Sequence, residues 1–97
     1  MLGVILLLMG GSCAMTDAHC RSWIDCERHG MCVAREGECV AGCHRDCRHS
    51  EACKSGGRCT AWQGECIAGS NEDCELATDC RRTGLCTAFH GVCVGSR

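Results

Sequence analysis

The sequence predicts a small disulfide-rich fold: three tandem repeats, each a short helix plus a β-hairpin stapled by two disulfides. The first observation behind this is spacing. Twelve of the 14 cysteines fall into three copies of C-x5-C-x5-C-x6-C, namely Cys20, Cys26, Cys32, Cys39, then Cys47, Cys53, Cys59, Cys66, then Cys74, Cys80, Cys86, Cys93. The second is periodicity, because each cysteine recurs 27 positions later without an insertion, which marks an array of one structural unit. The third is glycine placement. Gly30, Gly57 and Gly84 stand two residues before the third cysteine of each copy, and Gly37, Gly64 and Gly91 two residues before the fourth.

The two glycines divide each unit. The first half, such as Cys47-Arg-His-Ser-Glu-Ala-Cys53-Lys-Ser-Gly-Gly57, is rich in helix-tolerant polar residues and stops at glycine, as a short helix with a glycine C-cap does. In the third copy Asp73 precedes Cys74, where an acidic residue caps or complements a first turn. The second half, Cys59-Thr-Ala-Trp-Gln-Gly-Glu-Cys66-Ile-Ala, reads as two very short strands around an x-Gly turn. With Gln63 and Gly64 as a two-residue loop, Ala61 faces Cys66 and Cys59 lies diagonal to it on the same face. The equivalent turns are Glu36-Gly37 and His90-Gly91.

This geometry narrows the pairing of the cysteines, of which four permit three connectivities. Two cysteines six positions apart on one helix are separated by roughly 9 Å, beyond the roughly 7 Å a disulfide spans. First with second is thereby excluded. An antiparallel hairpin favours first with fourth and second with third: Cys20–Cys39 with Cys26–Cys32, Cys47–Cys66 with Cys53–Cys59, and Cys74–Cys93 with Cys80–Cys86. The overlapping pattern, first with third and second with fourth, stays open. A closed loop of this size contributes about 3 kcal/mol in the chain-entropy model. Such staples are required, because a unit of 27 residues is below the roughly 40 at which apolar burial alone suffices.

Composition excludes several functions. Net charge is −2 with both signs interleaved, so there is no basic stripe for a phosphate backbone and nucleic acid is not an expected partner. Metal is the sharpest competitor, since thiolates bind zinc and copper(I). No C-x2-C knuckle or C-x-C cluster occurs, however, and His19, His29, His44, His49 and His90 occupy different repeat positions. No metal site, cofactor or catalytic residue is expected. Trp23, Trp62 and Phe89 are the only aromatic residues, read as local cover over the disulfides or, alternatively, as an exposed contact stripe.

Cysteine density far above 8–10% points to an oxidising compartment. The apolar run Leu2 to Met9, followed by Gly10-Gly-Ser-Cys-Ala14, reads as a signal-peptide core and cleavage region, too short to span a bilayer. No Lys or Arg precedes it. Ser12 and Ala14 suit a cut before Met15, whereas a lipoprotein peptidase would leave Cys13 lipidated as the first residue. The expected organisation is residues 1–14 as signal peptide or lipoprotein signal, then repeats at 15–40, 41–67 and 68–97. Cys43, the other cysteine outside the rhythm, takes the linker position held by Thr16 and Ser70. It is read as an odd thiol, available for an intermolecular disulfide, or as a partner of Cys13 in an uncleaved chain.

The phrase Cys47-Arg-His-Ser-Glu-Ala-Cys53-Lys-Ser-Gly-Gly-Arg-Cys59-Thr-Ala, with Gly64-Glu-Cys66 after it, resembles the cysteine-rich tandem repeats of predicted secreted proteins and lipoproteins of myxobacteria and related bacteria. The likeness covers about residues 16–95 and is fullest in the second copy. It implies a cell-envelope location and brings no catalytic residue. The expected function is therefore that of an extracytoplasmic, non-enzymatic repeat protein, a structural or interaction module for an unknown protein or surface ligand, touching membrane only through a lipid at Cys13. A small secreted effector, such as a protease inhibitor or toxin-like peptide, is the first alternative, and a cysteine-rich metal-binding protein the second.

Overall fold

The computed structural model describes residues 18–95. Over them the chain repeats one unit three times, and each unit has two short helices rather than one before its hairpin. The first repeat holds α1 (Ala18–Arg21), α2 (Ile24–His29), β1 (Val33–Arg35) and β2 (Glu38–Val40). The second holds α3 (His44–Arg48), α4 (Glu51–Gly56), β3 (Thr60–Trp62) and β4 (Glu65–Ile67). The third holds α5 (Asn71–Glu75), α6 (Thr78–Thr83), β5 (Thr87–Phe89) and β6 (Val92–Val94).

The helix expected across the first two cysteines breaks between them, and the second repeat shows why. Ser50 adopts an extended backbone, φ −83° and ψ 161°, and its hydroxyl accepts from the Cys53 N–H while donating to the Cys47 carbonyl at 2.7 Å. Serine thus closes α3 and opens α4 in the same step, as side chains that compete with the helix backbone do. Trp23 and Ala77 take the same extended conformation without a side-chain cap. Cys47 and Cys53 thus sit on two helices, α3 and α4, so the roughly 9 Å rise of one continuous helix does not apply between them.

Both glycines act as the spacing requires. Gly57 caps α4 in the left-handed region at φ 73°; its N–H bonds the Cys53 carbonyl and the Arg58 N–H bonds the Ala52 carbonyl, a Schellman arrangement. In the hairpin loop Gln63 and Gly64 both have positive φ, 48° and 83°, as a type I′ turn demands. The register follows, with Ala61 opposite Cys66 and the same pairing in the other two hairpins. The expected role of Asp73 as a cap is corrected: Ser70 caps α5 by accepting from the Asp73 N–H, and the Asp73 carboxylate is used elsewhere.

The core is mostly sulfur. Of the twelve buried apolar residues among those described, eight are cysteines, and the rest are Val33, Ala41, Ala68 and Ala77. Larger side chains point outward, with Trp62, Leu76 and Phe89 all more than half exposed. The aromatic residues of the second and third hairpins thus present more than half of their surface to solvent.

Candidate functional site

Among the described residues, six disulfides tie helices to hairpins in the nested pattern. A long bridge joins the first helix to the second strand: Cys20–Cys39, Cys47–Cys66 and Cys74–Cys93, with Cα separations of 5.5, 5.5 and 5.6 Å. A short bridge joins the second helix to the residue before the hairpin: Cys26–Cys32, Cys53–Cys59 and Cys80–Cys86, each with Cα atoms 4.6 Å apart. A side-chain clasp at the first helical position supplements them. The Ala61 N–H donates to His44 Nδ1 at 3.0 Å, and the Ala88 N–H donates to Asn71 Oδ1 at 2.9 Å. His44 is thus an acceptor linking α3 to β3, a role that the irregular distribution of histidines in the sequence concealed.

Cys43 is not an odd thiol. It is disulfide-bonded and 3% exposed, at the N-cap position of α3 that Ser70 occupies before α5. It lies buried in the linker, where it packs as core. Cys13, read as the lipidation site, lies outside the described residues, as does the whole of the proposed signal segment.

The repeats meet at two junctions of the same design. At each, the linker alanine pairs with the next hairpin turn: Ala41 N–H to Gly64 O, and Ala68 N–H to Gly91 O, both 2.9 Å. The second helices stack in series, α2 on α4 and α4 on α6. The capping glycine of one unit lies on the long disulfide of the next. A Cβ on Gly30 would come within 2.5 Å of Cys66 Sγ, and one on Gly57 within 2.5 Å of Cys93 Sγ. The Cys66 and Cys93 sulfurs also sit 3.0 Å from the His29 and Gly56 carbonyl oxygens. Neither sulfur carries a proton, so these are close polar contacts and not hydrogen bonds.

The junctions differ in one polar detail. Asp73 Oδ2 accepts from Thr60 Oγ1 at 2.7 Å and from the Gly69 N–H at 2.9 Å. At the other junction Asp46 is 6% exposed, its Oδ1 accepts from Arg21 at 3.2 Å, and its Oδ2 has no hydrogen-bond partner among the described residues. Val33 stands where Thr60 does, so a methyl group replaces the donor hydroxyl. A buried acceptor left unpaired costs about 1–3 kcal/mol. Val33→Thr is accordingly expected to stabilise the protein by about 1 kcal/mol, read as a higher urea midpoint with disulfides intact.

No family model, curated protein or solved structure matches the chain. The functional reading therefore stands on the geometry. Among the described residues no group of three or more His, Cys, Asp or Glu side chains is placed to hold a metal ion, and no helix is long and apolar enough to cross a membrane. One cavity of about 500 Å³ opens on the first repeat, lined in part by Cys20, Trp23, Gly37, Glu38 and Cys39. A smaller one of about 100 Å³ lies at the first junction, between Met31 and the side chains of Arg58 and Glu65.

Proposed function

We propose that this protein is an extracytoplasmic, non-enzymatic module whose repeats form a sulfur-stapled array at the cell envelope and present an outward-facing surface to a protein or surface ligand. The observation that carries this reading is the composition of the interior: sulfur and small side chains fill it, so the fold depends on oxidation, and oxidation is maintained outside the cytoplasm. The interaction role is supported by Trp62 and Phe89, at equivalent positions of successive hairpins and 58% and 59% exposed. Large aromatic rings left in solvent at matching positions of two successive hairpins suit contact with a partner better than support of the fold.

Fractionation of cells making the full-length protein, followed by thiol alkylation under denaturing conditions and intact mass analysis, tests this. The expected outcome is protein outside the cytoplasmic membrane, with the twelve repeat cysteines unreactive and no bound metal. The same mass reports whether Cys13 carries lipid. A cytoplasmic protein with alkylated repeat cysteines or bound zinc would overturn the proposal.

A further inference from the structure

Because both junctions share one design, each unit has two unlike faces. One face works as a plug. It consists of the capping glycine of the second helix and the first residue of the hairpin: Gly30 and Val33, then Gly57 and Thr60. The other works as a socket, formed by the long disulfide and the turn glycine of the following unit: Cys47, Cys66 and Gly64, then Cys74, Cys93 and Gly91.

The same two faces recur at the outer units without an occupant among the described residues. Gly84 and Thr87 are the plug positions of the third repeat, and a Cβ on Gly84 would meet nothing within 4 Å. Cys20, Cys39 and Gly37 are the socket positions of the first repeat, and all three line the cavity of about 500 Å³. A Cβ on Gly37 also meets nothing within 4 Å, whereas one on Gly64 or Gly91 lies 3.6 Å from Val40 or 3.4 Å from Ile67. Where Ser50 and Ala77 are fully buried, the equivalent Trp23 is 44% exposed, and Ile24 beside it is 54% exposed. The outer socket is thus a concave, partly apolar site whose fitted occupant is already visible twice within the chain.

We propose that the socket of the first repeat receives the plug of the third repeat from a second copy of this chain, so that molecules associate head to tail. The backbone chemistry of the internal junctions carries over. Gly84 admits the approach of a disulfide as Gly57 does, and the Gly37 carbonyl stands where Gly64 and Gly91 accept a linker N–H. The side-chain detail differs, because His19 stands in the first repeat where Asp73 accepts the Thr60 hydroxyl. The interface is heterologous, joining unlike faces, and two such faces at opposite ends of a linear array extend instead of closing.

Sedimentation velocity of the oxidised full-length protein over a concentration series tests the proposal, with Thr87→Arg to block the plug and Glu38→Arg to block the socket. Wild-type protein is expected to pass beyond dimer as concentration rises, each variant to lose every species larger than monomer, and an equimolar mixture of the two variants to form a 1:1 dimer that grows no further. The six repeat bridges, found by peptide mapping, establish that each variant is folded; should Thr87→Arg lose them, Gly95→Arg blocks the same end. A wild-type monomer at all concentrations, a wild-type assembly that stops at two, variants that assemble like the wild type, or a mixture that stays monomeric would each overturn it.

Discussion

Gly57→Ala is expected to destabilise the protein by about 3–5 kcal/mol, whereas Gly84→Ala costs only about 1 kcal/mol, although the two glycines cap equivalent helices, α4 and α6, at nearly the same φ, 73° and 75°. The shared part of the penalty is the left-handed backbone, worth about 1–2 kcal/mol for a residue with a Cβ. The difference comes from the neighbour. At Gly57 the new methyl group would stand 2.5 Å from Cys93 Sγ and 3.0 Å from Cys74 Cα, while at Gly84 it meets nothing within 4 Å among the described residues. Cys93 and Cys74 are the two ends of one disulfide, so the obstacle cannot rotate aside. Urea titration with disulfides intact, followed by circular dichroism, measures both variants, and equal losses would show that the junction is not packed as described.

The second large effect is expected from removing the central long bridge. Replacing Cys47 and Cys66 together by alanine is expected to cost about 3–5 kcal/mol, against about 2 kcal/mol for Cys53 and Cys59. Loop closure accounts for part of the gap, since the sequence separations are 19 and 6 and the entropy removed grows with loop length. Packing supplies the rest. Cys47 is fully buried and Cys66 is 7% exposed, and with Ala41 they form the buried cluster against which Ala61 packs. Hydrogen exchange resolved by residue is the suitable readout, because repeat arrays do not unfold as one unit. Loss of protection in α3 and at the Ala41–Gly64 bridge is expected first; equal losses from the two double variants would contradict this ranking.

How much of this was legible beforehand differs by element. The repeat period, the hairpins and their register were readable because they depend on local rules: a glycine at a fixed offset allows the turn, and a two-residue loop then sets Ala61 opposite Cys66. The glycine C-caps were readable for the same reason. The break between the two helices was not, because Ser50 caps only in the second repeat, while Trp23 and Ala77 hold the same backbone with no cap of their own. The junctions were hidden for a different reason. Gly42 and Gly69 look like ordinary linker glycines, yet a Cβ there would come within 2.8 Å of Val33 or 2.5 Å of Thr60, a constraint imposed by atoms nine residues away in the chain. Asp73 looked like a helix cap because, besides the nearby Gly69 N–H, its carboxylate is held by Thr60, which becomes a neighbour only when two units pack.

The sulfur framework can be tested most directly by mapping the bridges of the oxidised protein. Trypsin and a glutamate-specific protease, cutting after Arg48, Lys54, Arg58 and Glu65, place each cysteine of the second repeat on a separate fragment. The fragment bearing Cys47 is expected to be joined to that bearing Cys66, and the fragment bearing Cys53 to that bearing Cys59. Recovery of Cys47 joined to Cys59, with Cys53 joined to Cys66, would contradict the nested fold and the junctions built on it.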